Sequence, residues 1–239
     1  MWPTLISIGP IDIHSFGVLL FLGFFLGAFK LWQKAKEAGW EETAVMDGWL
    51  IAGAGAVITG RLGYILFYPE VFGGSWYKMI FLTKFPGLSA ETAWLGGLII
   101  LLVWGFKQKL NFWTWFEAVV AAVLLVEIMA HLGSLLAGAG WLAETIRVAG
   151  LVLVYGLLNF WEKRYRILNL KEGVLAAAYL ILTGVLSFGL GWRQSQPYQW
   201  WGVGLAVAGG LILWFRSGII IKAPVKKLPS RKKRGFDYV

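Results

Sequence analysis

Seven apolar runs divide the chain, and no other feature constrains its fold as tightly. His14–Trp32, Gly48–Phe67, Phe116–Leu136, Val174–Trp192 and Trp201–Ile221 each reach spanning length. A hydrocarbon core of about 30 Å takes roughly 20 helical residues at 1.5 Å each. Two further runs, Thr92–Phe106 and Ile146–Trp161, are shorter, and the second carries Arg147 near its start. Counting both, the chain is expected to be an all-α integral membrane protein with about seven transmembrane helices. The first run is long enough to remain as a span and lacks a preceding basic segment, so no cleavable signal peptide is expected.

Composition agrees with this class. Hydrophobic residues make up 58% of the chain and charged residues only 15%, where a soluble domain carries about a quarter charged residues. Disordered chains, collagens, disulfide scaffolds and soluble enzymes are thereby excluded. Cysteine is absent, which removes thiol nucleophiles, thiolate metal sites and disulfides within the chain.

The net charge of +9 reports topology. Seventeen of the 22 basic residues lie in the C-terminal ends of the first, third, fifth and seventh runs or just after them. The positive-inside rule then puts the C-terminus in the cytoplasm and, with seven crossings, the N-terminus outside. Residues 1–222 are expected to form one polytopic domain and residues 223–239 a basic cytoplasmic tail. The tail can meet acidic lipid headgroups. It lacks the interleaved aromatics of a nucleic-acid binder, and no nucleic-acid partner is expected.

Function is sought in the polar groups that the apolar runs retain. Arg61 lies inside the second run, in Thr59-Gly60-Arg61-Leu62-Gly63-Tyr64. A guanidinium there costs several kcal/mol unless it is paired or reaches water or headgroups, so it reads as a fixed cation for a phosphate or carboxylate, or as a structural ion pair. Glu127 and His131 are four apart and share a helix face. A carboxylate beside an imidazole makes a general base, or else a polar pair joining two helices. His14 opens the first run at headgroup level. Glu144 and Arg147, three apart, are expected to pair locally. Gly96 and Gly97 open the third run, where close helix contact is the simplest reading. The connection Pro69–Glu91 is long enough to cover a site. No phosphate loop, metal motif or dinucleotide fingerprint occurs in a usable context, so no cofactor or metal is expected.

These residues also resemble a known family. IGPIDIHSFG (Ile8–Gly17), GRLGYILFY (Gly60–Tyr68) and the GL…LGGLI element between Gly87 and Ile99 are similar to prolipoprotein diacylglyceryl transferase. The resemblance implies a bacterial cytoplasmic-membrane enzyme that moves diacylglyceryl from phosphatidylglycerol to the thiol of a lipobox cysteine, releasing glycerol phosphate. Its partners would be an anionic phospholipid and preprolipoprotein signal peptides. It implies that His14 and Arg61 lie near the phospholipid headgroup; Gly60, Gly63, Tyr64, Gly96, Gly97 and Arg193 complete the expected substrate-binding set, and Glu127 and His131 are the expected catalytic pair of a remodelled site. The pattern departs at Phe16 and Leu95, where the family has tyrosine and histidine. It departs again at His131, where the family has arginine, and at Ser134, Ala137 and Ala139, which replace two asparagines and a glutamate. The alternative is therefore a catalytically degenerate homologue that binds phospholipid or a membrane partner. A transporter is disfavoured, since the sequence has no internal repeat and no paired broken helices.

Overall fold

The computed structural model describes residues 4–8, 11–81, 87–168, 172–194 and 198–220. A short antiparallel hairpin comes first, β1 (Thr4–Ile8) and β2 (Ile11–His14), with Ile6 opposite Ile13 and Ile8 opposite Ile11. Five long helices follow: α1 (Ser15–Ala38), α2 (Glu42–Phe67), α5 (Ala90–Lys107), α6 (Phe112–Ala137) and α7 (Trp141–Leu168). The one-turn helices α3 (Pro69–Phe72) and α4 (Trp76–Ile80) lie in the α2–α5 connection, and α8 (Val174–Gln194) and α9 (Tyr198–Ile220) complete the fold. The predicted basic tail lies outside the described residues.

Helices α1, α2, α5, α6 and α7 are long and apolar enough to cross a membrane, while α8 and α9 carry shorter apolar stretches, Val174–Leu190 and Trp200–Arg216. The two runs that looked short in the sequence thus sit inside full-length helices. Their polar ends, Glu91 on α5 and Glu144 on α7, extend the helix beyond its apolar centre. The hairpin is an addition to the expected all-α fold. Its alternating β-branched residues, TLISI and IDIH, suit a strand pair.

Three antiparallel helix pairs are read from close contacts. Gly27 of α1 meets Ala122 of α6, and Gly23 meets Val126 and Met129. Gly48 of α2 faces Trp104 of α5, and Gly63 faces Thr92. Gly184 of α8 packs on Gly202 and Ala206 of α9. Helix α6 joins the pairs because it contributes to both buried clusters. One cluster holds Leu31, Trp49, Leu101 and Trp115 from α1, α2, α5 and α6; the other holds Leu124, Leu151, Val154 and Tyr179 from α6, α7 and α8.

Tryptophan knits the first cluster by a recurring device. The indole of Trp104 fills the space over Gly48 and donates to the Ala44 carbonyl at 2.8 Å, and that of Trp115 lies over Gly105 and donates to Leu101 at 2.8 Å. Trp49 lies against Gly27 and donates to Phe24 at 3.2 Å. Helix carbonyls keep a second lone pair after their own helical bond, so each buried indole N–H is satisfied where no water reaches. The tryptophan excess therefore serves helix association as well as any interface.

The α2–α5 contact sets up a first test. A Cβ at Gly63 would overlap the Thr92 side chain, so Gly63→Val is expected to destabilise by about 1–3 kcal/mol through overpacking. Thermal unfolding of the purified protein in detergent checks this, with Gly17→Ala as control because nothing lies within 4 Å of that position. Equal midpoints for both variants would show that α5 yields.

Candidate functional site

The antiparallel pairing gives the bundle two ends. Lys36 and Lys107, in the last turns of α1 and α5, mark one. The predicted site residues lie in the opposite half. His14 closes β2 opposite Thr4 and leads into α1. Gly133 packs against the Phe16 backbone, which brings the end of α6, with His131, to the start of α1. Arg61 and Tyr64 occupy the last turns of α2, beside Gly96 and Gly97 on α5. The side chain of Arg193 lies outside the described residues.

Within that half, the predicted residues form two separate groups. Arg61 is 7% exposed and holds the α2–α5 connection. Its Nε donates to the Met79 carbonyl at 2.9 Å, Nη1 to Gly87 at 2.9 Å and Nη2 to Lys78 at 2.6 Å. The guanidinium also lies 4.9 Å from the Phe72 ring centroid, and Phe72 meets Tyr64 edge-on at 6.0 Å. Gly87, at φ +152°, sits against the Tyr64 ring, where a Cβ would clash. Ser89 donates its N–H to the Gly60 carbonyl at 2.9 Å and caps α5 with its hydroxyl. The expected ligand cation is thus committed to backbone carbonyls of the loop that α2 supports. Gly60, Gly63, Gly96 and Gly97 line the α2–α5 seam, against Ala93, Thr92, Thr59 and Ala56 respectively. That is the helix contact expected for the glycine pair of α5.

The second group gathers on α6, α7 and α8. His131 Nδ1 lies 2.9 Å from Glu144 Oε2, so the carboxylate orienting the imidazole comes from α7 and not from Glu127. Glu127 instead accepts the Tyr179 hydroxyl of α8 at 2.9 Å. The expected Glu144–Arg147 pair is replaced by His131–Glu144, and Arg147 Nε is buried with no hydrogen-bond partner among the described residues. Gly138 (φ 95°) and Gly140 (φ 50°) adopt left-handed backbone conformations that fold α7 back on α6 within three residues. This tight turn makes positions 131 and 144 opposite one another. Glu144, Arg147 and Tyr179 therefore join the candidate site. Tyr179 gave no signal in the sequence, being one hydroxyl in an apolar run.

A cavity of about 240 Å³ lies nearer the lysine-marked end, between α1, α6, α7 and α8, lined by Lys34, Glu117, Tyr155 and Glu162 among others. Its polar groups are structural. Glu117 accepts the N–H groups of Gly173 and Leu175 at 2.6 and 3.0 Å, fixing the start of α8, and Lys34 pairs with Glu162. None of the predicted site residues lines it.

The family model for prolipoprotein diacylglyceryl transferase matches residues 3–145, from the hairpin to the first turn of α7. The phosphatidylglycerol–prolipoprotein diacylglyceryl transferase of Aeromonas salmonicida is 24% identical over 254 residues, covering 89% of both chains. The protein of that name from Chromobacterium violaceum is 28% identical over 89% of this chain and 73% of its own length. That of Aliivibrio fischeri is 32% identical over 146 residues, which span 58% of this chain and 51% of the relative. The match covers the His131–Glu144 pair and the Arg61 loop, and the chain belongs to the prolipoprotein diacylglyceryl transferase family.

Proposed function

We propose that this protein, in the bacterial inner membrane, transfers diacylglyceryl from phosphatidylglycerol to the thiol of a lipobox cysteine. The N-terminus faces outward and the basic helix ends face the cytoplasm, in line with the charge distribution. The observation that carries the reading is the His131–Glu144 pair, 2.9 Å apart and partly buried, within a chain of this family. A carboxylate at Nδ1 favours the tautomer with the proton there, leaving the Nε2 lone pair to accept another.

In the reaction, His131 takes the thiol proton. The sulfur attacks the glycerol carbon that bears the phosphate, a C–S bond forms, and the C–O bond breaks. Its electron pair leaves on the phosphate oxygen as glycerol phosphate. Glu144, at Nδ1, stabilises the imidazolium that forms.

A non-catalytic phospholipid binder is the second reading, favoured by the commitment of Arg61 to the loop carbonyls. Incubating purified protein with phosphatidylglycerol and a lipobox peptide separates the two. The expected product is a peptide carrying thioether-linked diacylglyceryl, detected by mass spectrometry. Bound phosphatidylglycerol without product at high enzyme concentration would favour the second reading and sink the first.

A further inference from the structure

Arg147 stands one helical turn beyond Glu144, outside the residues matched by the family model. It continues the buried stripe of α7 formed by Leu151, Val154 and Leu158, which are 1%, 4% and 9% exposed. A helical side chain on such a stripe points into the bundle and back toward the helix N-terminus. The Arg147 side chain is thus directed toward the half that holds His131 and Glu144. Its Nε is buried and has no hydrogen-bond partner among the described residues. The nearest acid in sequence is engaged, because Glu144 accepts from His131; Glu127, which accepts from Tyr179, feels the charge of Arg147 but takes no hydrogen bond from it. A guanidinium presents five N–H donors in a planar fork that suits a phosphate oxygen pair. A buried Nε–H left without an acceptor is costly, and an anion from lipid would remove the cost. Arg61, by contrast, already gives three of its five N–H donors to loop carbonyls.

We infer that Arg147, and not Arg61, receives the phosphate of an anionic phospholipid beside the His131–Glu144 pair. The inference rests on the proposed function for its choice of lipid, but it concerns binding and is tested without turnover.

Purified full-length protein is delipidated and titrated with phosphatidylglycerol, with phosphatidylcholine and inorganic phosphate as parallel probes. Arg147→Gln is expected to weaken phosphatidylglycerol binding by about 10- to 100-fold, the range of a charged hydrogen bond, and Arg147→Lys to recover part of it. A readout on the unmodified chain guards against a variant that fails to fold. Phenylglyoxal labelling of Arg147, followed by peptide mass spectrometry, should be suppressed by phosphatidylglycerol and not by phosphatidylcholine. Equal labelling with and without phosphatidylglycerol overturns the inference, as does binding by Arg147→Gln within twofold of the parent. Protection by inorganic phosphate but not by phosphatidylglycerol overturns the lipid assignment. Arg147-dependent lipid binding in a protein that transfers nothing supports the inference while removing the transfer reading. Undiminished transfer by Arg147→Gln removes this inference and leaves transfer intact.

Discussion

Replacing Arg61 with alanine releases the connection between α2 and α5 and lowers the thermal stability of the whole α2–α5 pair. Three carbonyls, those of Lys78, Met79 and Gly87, lose a charged donor at once. Each such bond is worth about 1.5–3 kcal/mol, so even with water replacing some of them the loss is several kcal/mol. The Phe72 ring, 1% exposed, also loses the cation stacked on it. Limited proteolysis should show cutting between Trp76 and Leu88 that the parent resists, together with a lower unfolding midpoint in detergent. Arg61→Lys is expected to restore little, since one ammonium cannot reach three carbonyls spread over positions 78 to 87. A parent-like proteolysis pattern and midpoint in Arg61→Ala, accompanied by weaker phosphatidylglycerol binding, would return Arg61 to the role its sequence context implies.

Arg61 also shows how far the sequence could be read. Its burial in the second helix was legible, because the apolar run around it has spanning length and the flanking glycines announce a close neighbour. Its partner was not legible. Backbone carbonyls are the same at every position, so no side-chain pattern marks Lys78, Met79 and Gly87 as acceptors. The helices were placed correctly by apolarity, whereas the polar ends of α5 and α7 made two of them look too short. The alternation that pairs β1 with β2 runs over only five and four residues, too few to stand out beside the long apolar run that follows.

For the second polar group, spacing on one helix favoured Glu127 as the partner of His131. The tight turn at Gly138 and Gly140 decided otherwise. Thirteen positions separate His131 from Glu144, and the turn lies between them, six residues beyond His131 and three before Glu144. The two positions are unequally spaced from the turn, so the tilt of α7 on α6, which no spacing rule along one helix carries, brings them together. Tyr179, by contrast, reaches Glu127 from 52 residues away on α8, a distance at which sequence spacing carries no information. The family match ends at residue 145, so the helix that supplies Tyr179 and most of the helix that carries Arg147 lie beyond its support.

His131→Asn should lower kcat for diacylglyceryl transfer by about 10²- to 10⁴-fold, the contribution typical of a positioned general base. Asparagine retains polarity at the α6–α7 seam while removing the proton acceptor, so the unfolding midpoint should change far less than the rate. Glu144→Gln should lower kcat in the same direction but by less, because the amide can still accept at Nδ1 although it no longer stabilises imidazolium. The double variant should then be no slower than His131→Asn, since two residues acting as one unit are not additive. Glu127→Gln discriminates between the two carboxylates. If Glu144 orients the ring, Glu127→Gln disturbs mainly the Tyr179 bond and leaves most of kcat; if Glu127 is the true partner, the ranking of the two glutamine variants inverts. Phosphatidylglycerol binding measured in parallel should stay within a few fold of the parent in all three single variants, because the phosphate is held by Arg147. A His131→Asn protein that transfers at the parental rate would remove the imidazole from the chemistry and leave the cluster as a polar seam between helices.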